Sequence, residues 1–213
     1  FFRDEYDVSE WGEIPVPGNW QCAGYDVPIY VNLRNLCHPA QPPETNPEFN
    51  PVGCYRRTFS IPESWEGKQV FLHFGAVQSA LWVWVNGREA GYSQGSMTPA
   101  EFNITPYLKP GENTLACKVF RWCDGSYLED QDMWRLSGIP RDVFLLAAPP
   151  LHLRDFFAYS DLDAAYRNGT LTVLARIHNY TEEMLVSVRV RAELFDAAGR
   201  LVSWSAGSAG VPP

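Results

Sequence analysis

What this sequence has little of narrows it first. No apolar run approaches the roughly 20 residues that a membrane-spanning helix needs, so a membrane is not an expected partner. Basic residues are outnumbered, with 17 Lys and Arg against 25 Asp and Glu for a net charge of −8, and no Lys/Arg-rich run offsets them. That balance disfavours nucleic acid, whose phosphates repel such a chain. The histidines at 38, 73, 152 and 178 are scattered, with no cysteine or carboxylate at ligand spacing, which speaks against a transition-metal site. There is no Gly-rich phosphate loop and no serine nucleophile elbow. Five cysteines (Cys22, Cys37, Cys54, Cys117 and Cys123) are an odd number without CxxC spacing, and two of them sit in apolar strand patterns. Buried, reduced thiols are the expectation, and with them a cytoplasmic location.

A sustained helical period is also missing. In its place come short strand patterns separated by turns: Cys54 to Ser60, Lys68 to Phe74, Ala80 to Asn86 and Asn113 to Arg121. In LWVWVN the side chains alternate, with Trp82 and Trp84 on one face and Leu81, Val83 and Val85 on the other, which predicts an interior strand covered on both faces. Asn86-Gly87 suits a type I′ hairpin and Pro110-Gly111 another turn. The result is an all-β fold of the jelly-roll sandwich kind.

Composition changes at Ala147-Ala148-Pro149-Pro150, which reads as a linker between a first domain, 1–148, and a second, 149–213. In the second, Leu171, Val173, Ala175 and Ile177 alternate with polar neighbours. So do Val186, Val188, Val190, Ala192 and Leu194, as in strands with one wet face. The 63 residues after Pro150 fall short of the roughly 100 of an immunoglobulin-like sandwich, so part of such a domain is expected. The face of Val186, Val188 and Val190 should lack an opposing sheet, and the closing SAGSAGVPP should fray. Phe1 and Phe2 read as the tail of an element whose start is missing.

One stretch fits neither strand nor linker. Arg121 to Asp142, RWCDGSYLEDQDMWRLSGIPRD, gathers Asp124, Glu129, Asp130 and Asp132 among Trp122, Tyr127 and Trp134. Aromatic faces beside acceptor-only carboxylates suit the faces and hydroxyls of a sugar. Trp20, Tyr25, Trp122 and Trp134 could form a stacking platform, though buried aromatics more often build core. For Asp124, Glu129 and Asp130 the plain reading is turn capping, pairing with Arg121, Arg135 or Arg141, or solvation.

At these residues the chain resembles a known family. DGSYLEDQDMWRLSGIPRDV is similar to the segment that closes the N-terminal jelly-roll (galactose-binding-like) domain of large bacterial β-galactosidases of glycoside hydrolase family 2. VPGNWQ, GYDVPIYVN, NPVGCYRRTF, NGREAGYSQGSMTPAEFNIT and GENTLACKVFRW agree with it in order, and together they cover most of the first 148 residues. The resemblance implies a non-catalytic N-terminal part of a retaining enzyme that hydrolyses terminal β-D-galactosides. Both catalytic glutamates would lie in a later barrel that this chain lacks. Asp132 falls on the family's aspartate that contacts the galactosyl group and a bound sodium ion, and Asn32, in PIYVN, on an asparagine lining the same substrate site. Sodium would be shared with the barrel, magnesium would belong to the catalytic domain, and the parent would be a bacterial, cytoplasmic homo-oligomer. Two other readings stay open: a stand-alone carbohydrate-binding module without hydrolase activity, and a structural assembly domain.

Overall fold

A computed structural model describes residues 1–31, 42–129 and 132–213. Asn32, Cys37, His38 and Asp130, singled out above, lie outside the described residues. Two units emerge, Phe1–Glu66 with Val70–Ala147 and Gly67–Gln69 with Ala148–Pro213. Helical turns among the described residues are short 3-10 segments of three or four residues.

Eleven strands follow one another through the first unit: β1 (Gly18–Asn19), β2 (Ile29–Val31), β3 (Val52–Ser60), β4 (Gln69–Phe74), β5 (Ala80–Val85), β6 (Arg88–Gln94), β7 (Ala100–Asn103), β8 (Glu112–Phe120), β9 (Met133–Arg135), β10 (Gly138–Ile139) and β11 (Val143–Ala148). They assemble a four-stranded antiparallel sheet, β3-β8-β5-β6, and a three-stranded sheet, β11-β4-β7. Strand alternation explains why the two sheets share one core. Leu81, Val83 and Val85 of β5 are 0% exposed and pack in one cluster with Val70, Leu72 and Phe74 of β4 and with Cys117 and Val119 of β8. Each such side chain contributes about 1.5–3 kcal/mol by leaving water. This is the all-β jelly-roll sandwich that the alternation predicts.

The tryptophan face of β5 differs from expectation. The strand is interior to its sheet, but Trp82 and Trp84 are only half-buried. Rings cover them instead of a second sheet: Phe2 stacks on Trp84 at 5.0 Å, and Tyr92 and Phe120 flank Trp82. Phe1 and Phe2 themselves lie outside the strands. The Arg56 guanidinium donates to the carbonyls of Phe1, Arg3, Asp4 and Tyr6 at 2.8–3.1 Å, which curls the segment on itself.

The β5–β6 turn takes φ of 50° at Asn86 and 73° at Gly87, the left-handed pair that a type I′ hairpin demands. Asn86 also ties it down: its Nδ2 donates to Asn113 Oδ1 and its Oδ1 accepts from Thr114 N. Asn113, fully buried, satisfies both ends of its amide through Asn86, Lys109 and Gly111.

In the second unit, β12 (Leu151–Leu162) pairs with β13 (Gly169–Asn179), and β14 (Leu185–Phe195) with β15 (Leu201–Val211), as two antiparallel hairpins. Two expectations are corrected. The closing small residues do not fray: Ala206, Gly207, Ser208 and Ala209 continue β15 because β14 offers them a ladder. Val186, Val188 and Val190 do not form one continuous face, since the register shifts between Leu185 and Val188 and leaves Val186 87% exposed. The thiols divide as well. Cys117 and Cys123 are buried as expected, whereas Cys22 and Cys54 are exposed, the first in a 3-10 turn and the second on the outer face of edge strand β3.

Candidate functional site

The acid-rich stretch begins where β8 ends, and its base is a buried ion pair. Arg121 is 1% exposed; its Nη1 pairs with Asp26 Oδ2 and its Nη2 donates to Val27 O at 3.0 Å. The same Asp26 oxygen accepts from Trp20 Nε1 and Gln21 Nε2, both at 3.4 Å. Gln21 Oε1 in turn accepts from Ser137 N at 2.9 Å, so one network links both ends of the stretch to the chain around Trp20. Removing one partner of such a pair strands a charge out of water, whereas the complete pair fixes geometry. Arg121, one of the partners open to the loop acids, is therefore taken by Asp26. Among the described residues Arg141 likewise donates to a carbonyl, Met97 O, and not to a carboxylate.

Above this base the chain turns through Asp124–Tyr127, where Cys123 N donates to Ser126 Oγ at 3.1 Å and Tyr127 Oη to Glu44 O at 2.6 Å. Asp124 caps its own turn by accepting from Gly125 N at 2.8 Å, one of the local tasks expected of it. Glu129 reaches further. Its Oε1 accepts from Ser96 N at 2.9 Å and its Oε2 from Ser96 Oγ at 2.7 Å, while its own carbonyl accepts from Arg135 Nη1 at 2.8 Å. The cavity under these residues, lined by Arg121, Trp122, Glu129 and Arg135, measures about 10 Å³. That is room for one water at most, so sugar has no way into this floor.

Asp132 stands at the open edge. The short ladder of β2 with β9 sets Tyr30 opposite Trp134, ring centroids 5.5 Å apart, both more than half exposed. Tyr30 Oη donates to Asp132 Oδ1 at 2.6 Å. That hydrogen bond, and then the carboxylate's charge, holds the Tyr30 phenol above its ordinary value, so it stays a donor. A carboxylate beside two tilted aromatic rings offers acceptors for hydroxyls and faces for a sugar ring. The four candidate platform aromatics do not act together: Trp20 and Trp122 are buried, Trp20 in the core cluster, and only Tyr25 and Trp134 are exposed.

Residues 3–149 match the family model described as glycosyl hydrolases family 2, sugar binding domain. The chain belongs to glycoside hydrolase family 2. It is 46% identical over 200 residues to a β-galactosidase of Priestia megaterium, covering 92% of this chain and 19% of that enzyme. With a β-galactosidase of Vibrio cholerae it shares 47% over 202 residues, 94% of this chain and again 19% of the relative. The chain thus spans about a fifth of the length of these curated relatives. In fold it is similar to a crystal structure of a Bacteroides uniformis β-glucuronidase, with a TM-score of 0.79 at 23% identity over 99% of this chain and 24% of that one.

For a family 2 domain the resemblance implies sodium at Asp132. The described residues fit it in part: the carboxylate is a suitable hard donor, but no group of three or more His, Cys, Asp or Glu side chains gathers among the described residues. Asp132 can be one ligand of a shell, and the others would come from beyond those residues. Sequence reading missed two residues of this arrangement, Tyr30 beside Asp132 and Asp26 in the ion pair beneath. Tyr30 sits in the PIYVN motif two residues before Asn32 and is brought to Asp132 only by strand pairing, while Asp26 follows Trp20 and Gln21 in the matching NWQ…GYD stretch, where proximity was a usable signal.

Proposed function

We propose that this chain is the non-catalytic N-terminal part of a retaining β-galactosidase that hydrolyses terminal β-D-galactosides. The observation that carries the reading is the 46–47% identity to β-galactosidases over more than nine-tenths of the chain. Fold likeness to β-glucuronidases at 23% identity speaks only to architecture. In this reading the nucleophile and the acid/base carboxylates, which a retaining enzyme needs about 5–5.5 Å apart, sit in a catalytic barrel outside this chain. Asp132 accepts hydrogen bonds from hydroxyls of the galactosyl group, with Tyr30 fixing its Oδ1 and Trp134 beside it. Asn32 adds an amide donor and acceptor to the same site. Sodium, held in part by Asp132, would supply a positive charge to sugar oxygens, and magnesium would belong to the catalytic domain. The parent is a cytoplasmic homo-oligomer, a location supported by the free thiols of Cys117 and Cys123.

The test is a full-length preparation assayed on a panel of aryl glycosides. Cleavage of the β-galactoside ahead of the β-glucuronide is expected. Asp132→Ala should lower kcat/KM about tenfold to more than a hundredfold, the loss of a charge-assisted hydrogen bond, with little change in melting temperature. Preference for the glucuronide would sink the substrate assignment. A coding region that stops at Pro213 would favour the stand-alone module.

A further inference from the structure

The acids of the stretch from Asp124 to Asp132 are not equivalent. Asp124 bonds only within its own turn, and Asp132 points its carboxylate to the open edge. Glu129 does neither: it crosses to the turn between β6 and β7 and grips Ser96 with both oxygens, at 2.9 Å on the backbone nitrogen and 2.7 Å on the hydroxyl. We propose that Glu129 is a positioning residue that sets where Asp132 stands in the substrate site. The proposal rests on the reading of Asp132 as a galactosyl contact.

Three features make this grip more than a loop acid meeting a nearby donor. The turn that Glu129 holds is itself braced. Met97 takes a left-handed φ of 67°, Thr98 N and Thr98 Oγ1 both donate to Gly95 O, and Arg141 Nη1 donates to Met97 O. A turn braced in this way is a fixed anchor, and Ser96 presents two donors from it in one direction. The second feature is the backbone of Glu129, whose carbonyl accepts from Arg135 Nη1, a side chain that is itself buried. Arg135 closes β9, opposite Ile29 of β2. Glu129, three residues before Asp132, and Arg135, three residues after it, are therefore both held in place. The third is the side-chain bond from Tyr30, which constrains the carboxylate itself at 2.6 Å. Tyr30 holds the tip of Asp132, and among the described residues the Glu129 side chain ties this arrangement to the β6–β7 turn.

The physical consequence is steep. A contact made in the transition state loses value quickly when the group making it shifts by about 1 Å, which can cost roughly a hundredfold in rate. Removing the Glu129 side chain deletes both bonds to Ser96 and with them the tie to the β6–β7 turn, while Glu129 N still donates to Ser126 O, Arg135 Nη1 to Glu129 O and Tyr30 Oη to Asp132 Oδ1. Glutamine preserves the geometry without the charge, because its carbonyl can accept from Ser96 N and its amide can donate to Ser96 Oγ. A positioning role predicts recovery by glutamine, and a role through charge does not.

The experiment uses the full-length enzyme with Glu129→Ala, Glu129→Gln, Asp132→Ala and the double variant Glu129→Ala/Asp132→Ala. Melting temperature, sodium dependence and kcat/KM on an aryl β-galactoside are measured for each. Glu129→Ala should lower kcat/KM about tenfold or more and raise the sodium concentration needed for half-maximal activity, with Glu129→Gln within about threefold of wild type. In the Asp132→Ala background, Glu129→Ala should add less than about twofold, because two residues acting through one contact are not additive. A large Asp132→Ala effect with a silent Glu129→Ala, or with fully additive losses, overturns the positioning role and leaves the reading of Asp132 intact. Near-normal kcat/KM in Asp132→Ala overturns both. A drop in melting temperature without a change in kcat/KM or in sodium response shows Glu129 to be structural only, and that too overturns the inference.

Discussion

The two units use the same alternation of apolar and polar residues and reach opposite ends. In the first, β5 places Leu81, Val83 and Val85 between two sheets with no exposure at all. In the second, β12, β14 and β15 carry apolar side chains that stay in water: Phe156, Phe157, Val186 and Trp204 are all more than half exposed. Every fully buried hydrophobic side chain among the described residues belongs to the first unit. Period-two alternation therefore specifies a strand, and burial requires a second layer as well. The hairpins of the second unit rest on their backbone ladders and on turns pinned by side chains, an arrangement with little hydrophobic stabilisation of its own.

Substitution in the core should widen this contrast most. Leu81→Ala removes a side chain with no exposure from the centre of the four-stranded sheet and should cost about 2–5 kcal/mol, read as a lower urea midpoint with an unchanged slope for the first unit. A loss under 1 kcal/mol would mean that the core around β5 is far looser than its burial implies.

Titration should separate the units by the sign of their response. Two hairpin turns of the second unit are pinned by carboxylates. Asp163 accepts from Arg167 N, Asn168 Nδ2 and Ala165 N, and Asp196 from the backbone and side chain of Arg200 and from Ala198 N. The backbone bonds from Arg167 and Arg200 lead in holding both groups below the ordinary 3.8. A depressed acid stabilises the fold above its unfolded value, so these turns should loosen as pH falls below about 3.8. The first unit carries the reverse case. Burial pushes the Tyr55 phenol from 10.0 up to about 12 and raises the Cys117 thiol from 9.0, so its stability is intact below about pH 9 and declines as pH climbs toward 12. Amide resonances of Arg167 and Arg200 followed into acid, and near-ultraviolet circular dichroism of the tryptophans followed into alkali, give the two readings. Loss of the tryptophan signal before the turn amides in acid would contradict the assignment.

Legibility in the sequence follows the same division. The β5 strand, its Asn86-Gly87 turn and the sandwich class were readable because their causes are local: alternation, a residue pair that tolerates positive φ, and turns at short intervals. The grip of Glu129 on Ser96 was not, because it joins residues 33 apart and half of it is a bond to a backbone N–H that any residue could offer. Arg121 was one of three arginines that the loop acids could pair with, but it reaches Asp26 across 95 residues. Sequence distance misleads where antiparallel strands bring remote segments together. The SAGSAG tail was read as frayed from its small side chains, but a ladder to β14 needs only backbone groups. Asp132 as a candidate was legible only through family resemblance, since nothing in its spacing sets it apart from Asp124.

The smallest expected effect is also the sharpest test of the contrast. Val186 lies at the irregularity between Leu185 and Val188 and is 87% exposed, so its methyl groups already meet water. Val186→Ser removes apolar surface that the fold does not bury. The transfer term is then close to zero, and the β-propensity difference is a fraction of the roughly 1 kcal/mol span of that scale. This chain should therefore change stability by less than about 0.5 kcal/mol, the usual range for an exposed position. The same substitution in the full-length protein gives a second reading. If further strands of the parent complete a sandwich over this hairpin, Val186 becomes buried there, and Val186→Ser should cost about 1–3 kcal/mol of a polar group taken out of water. A difference between the two contexts would show that the second unit gains its missing layer from outside these residues. Equal, near-zero effects in both would show that Val186 stays in water even in the complete enzyme, and that the register shift in β14 directs it there.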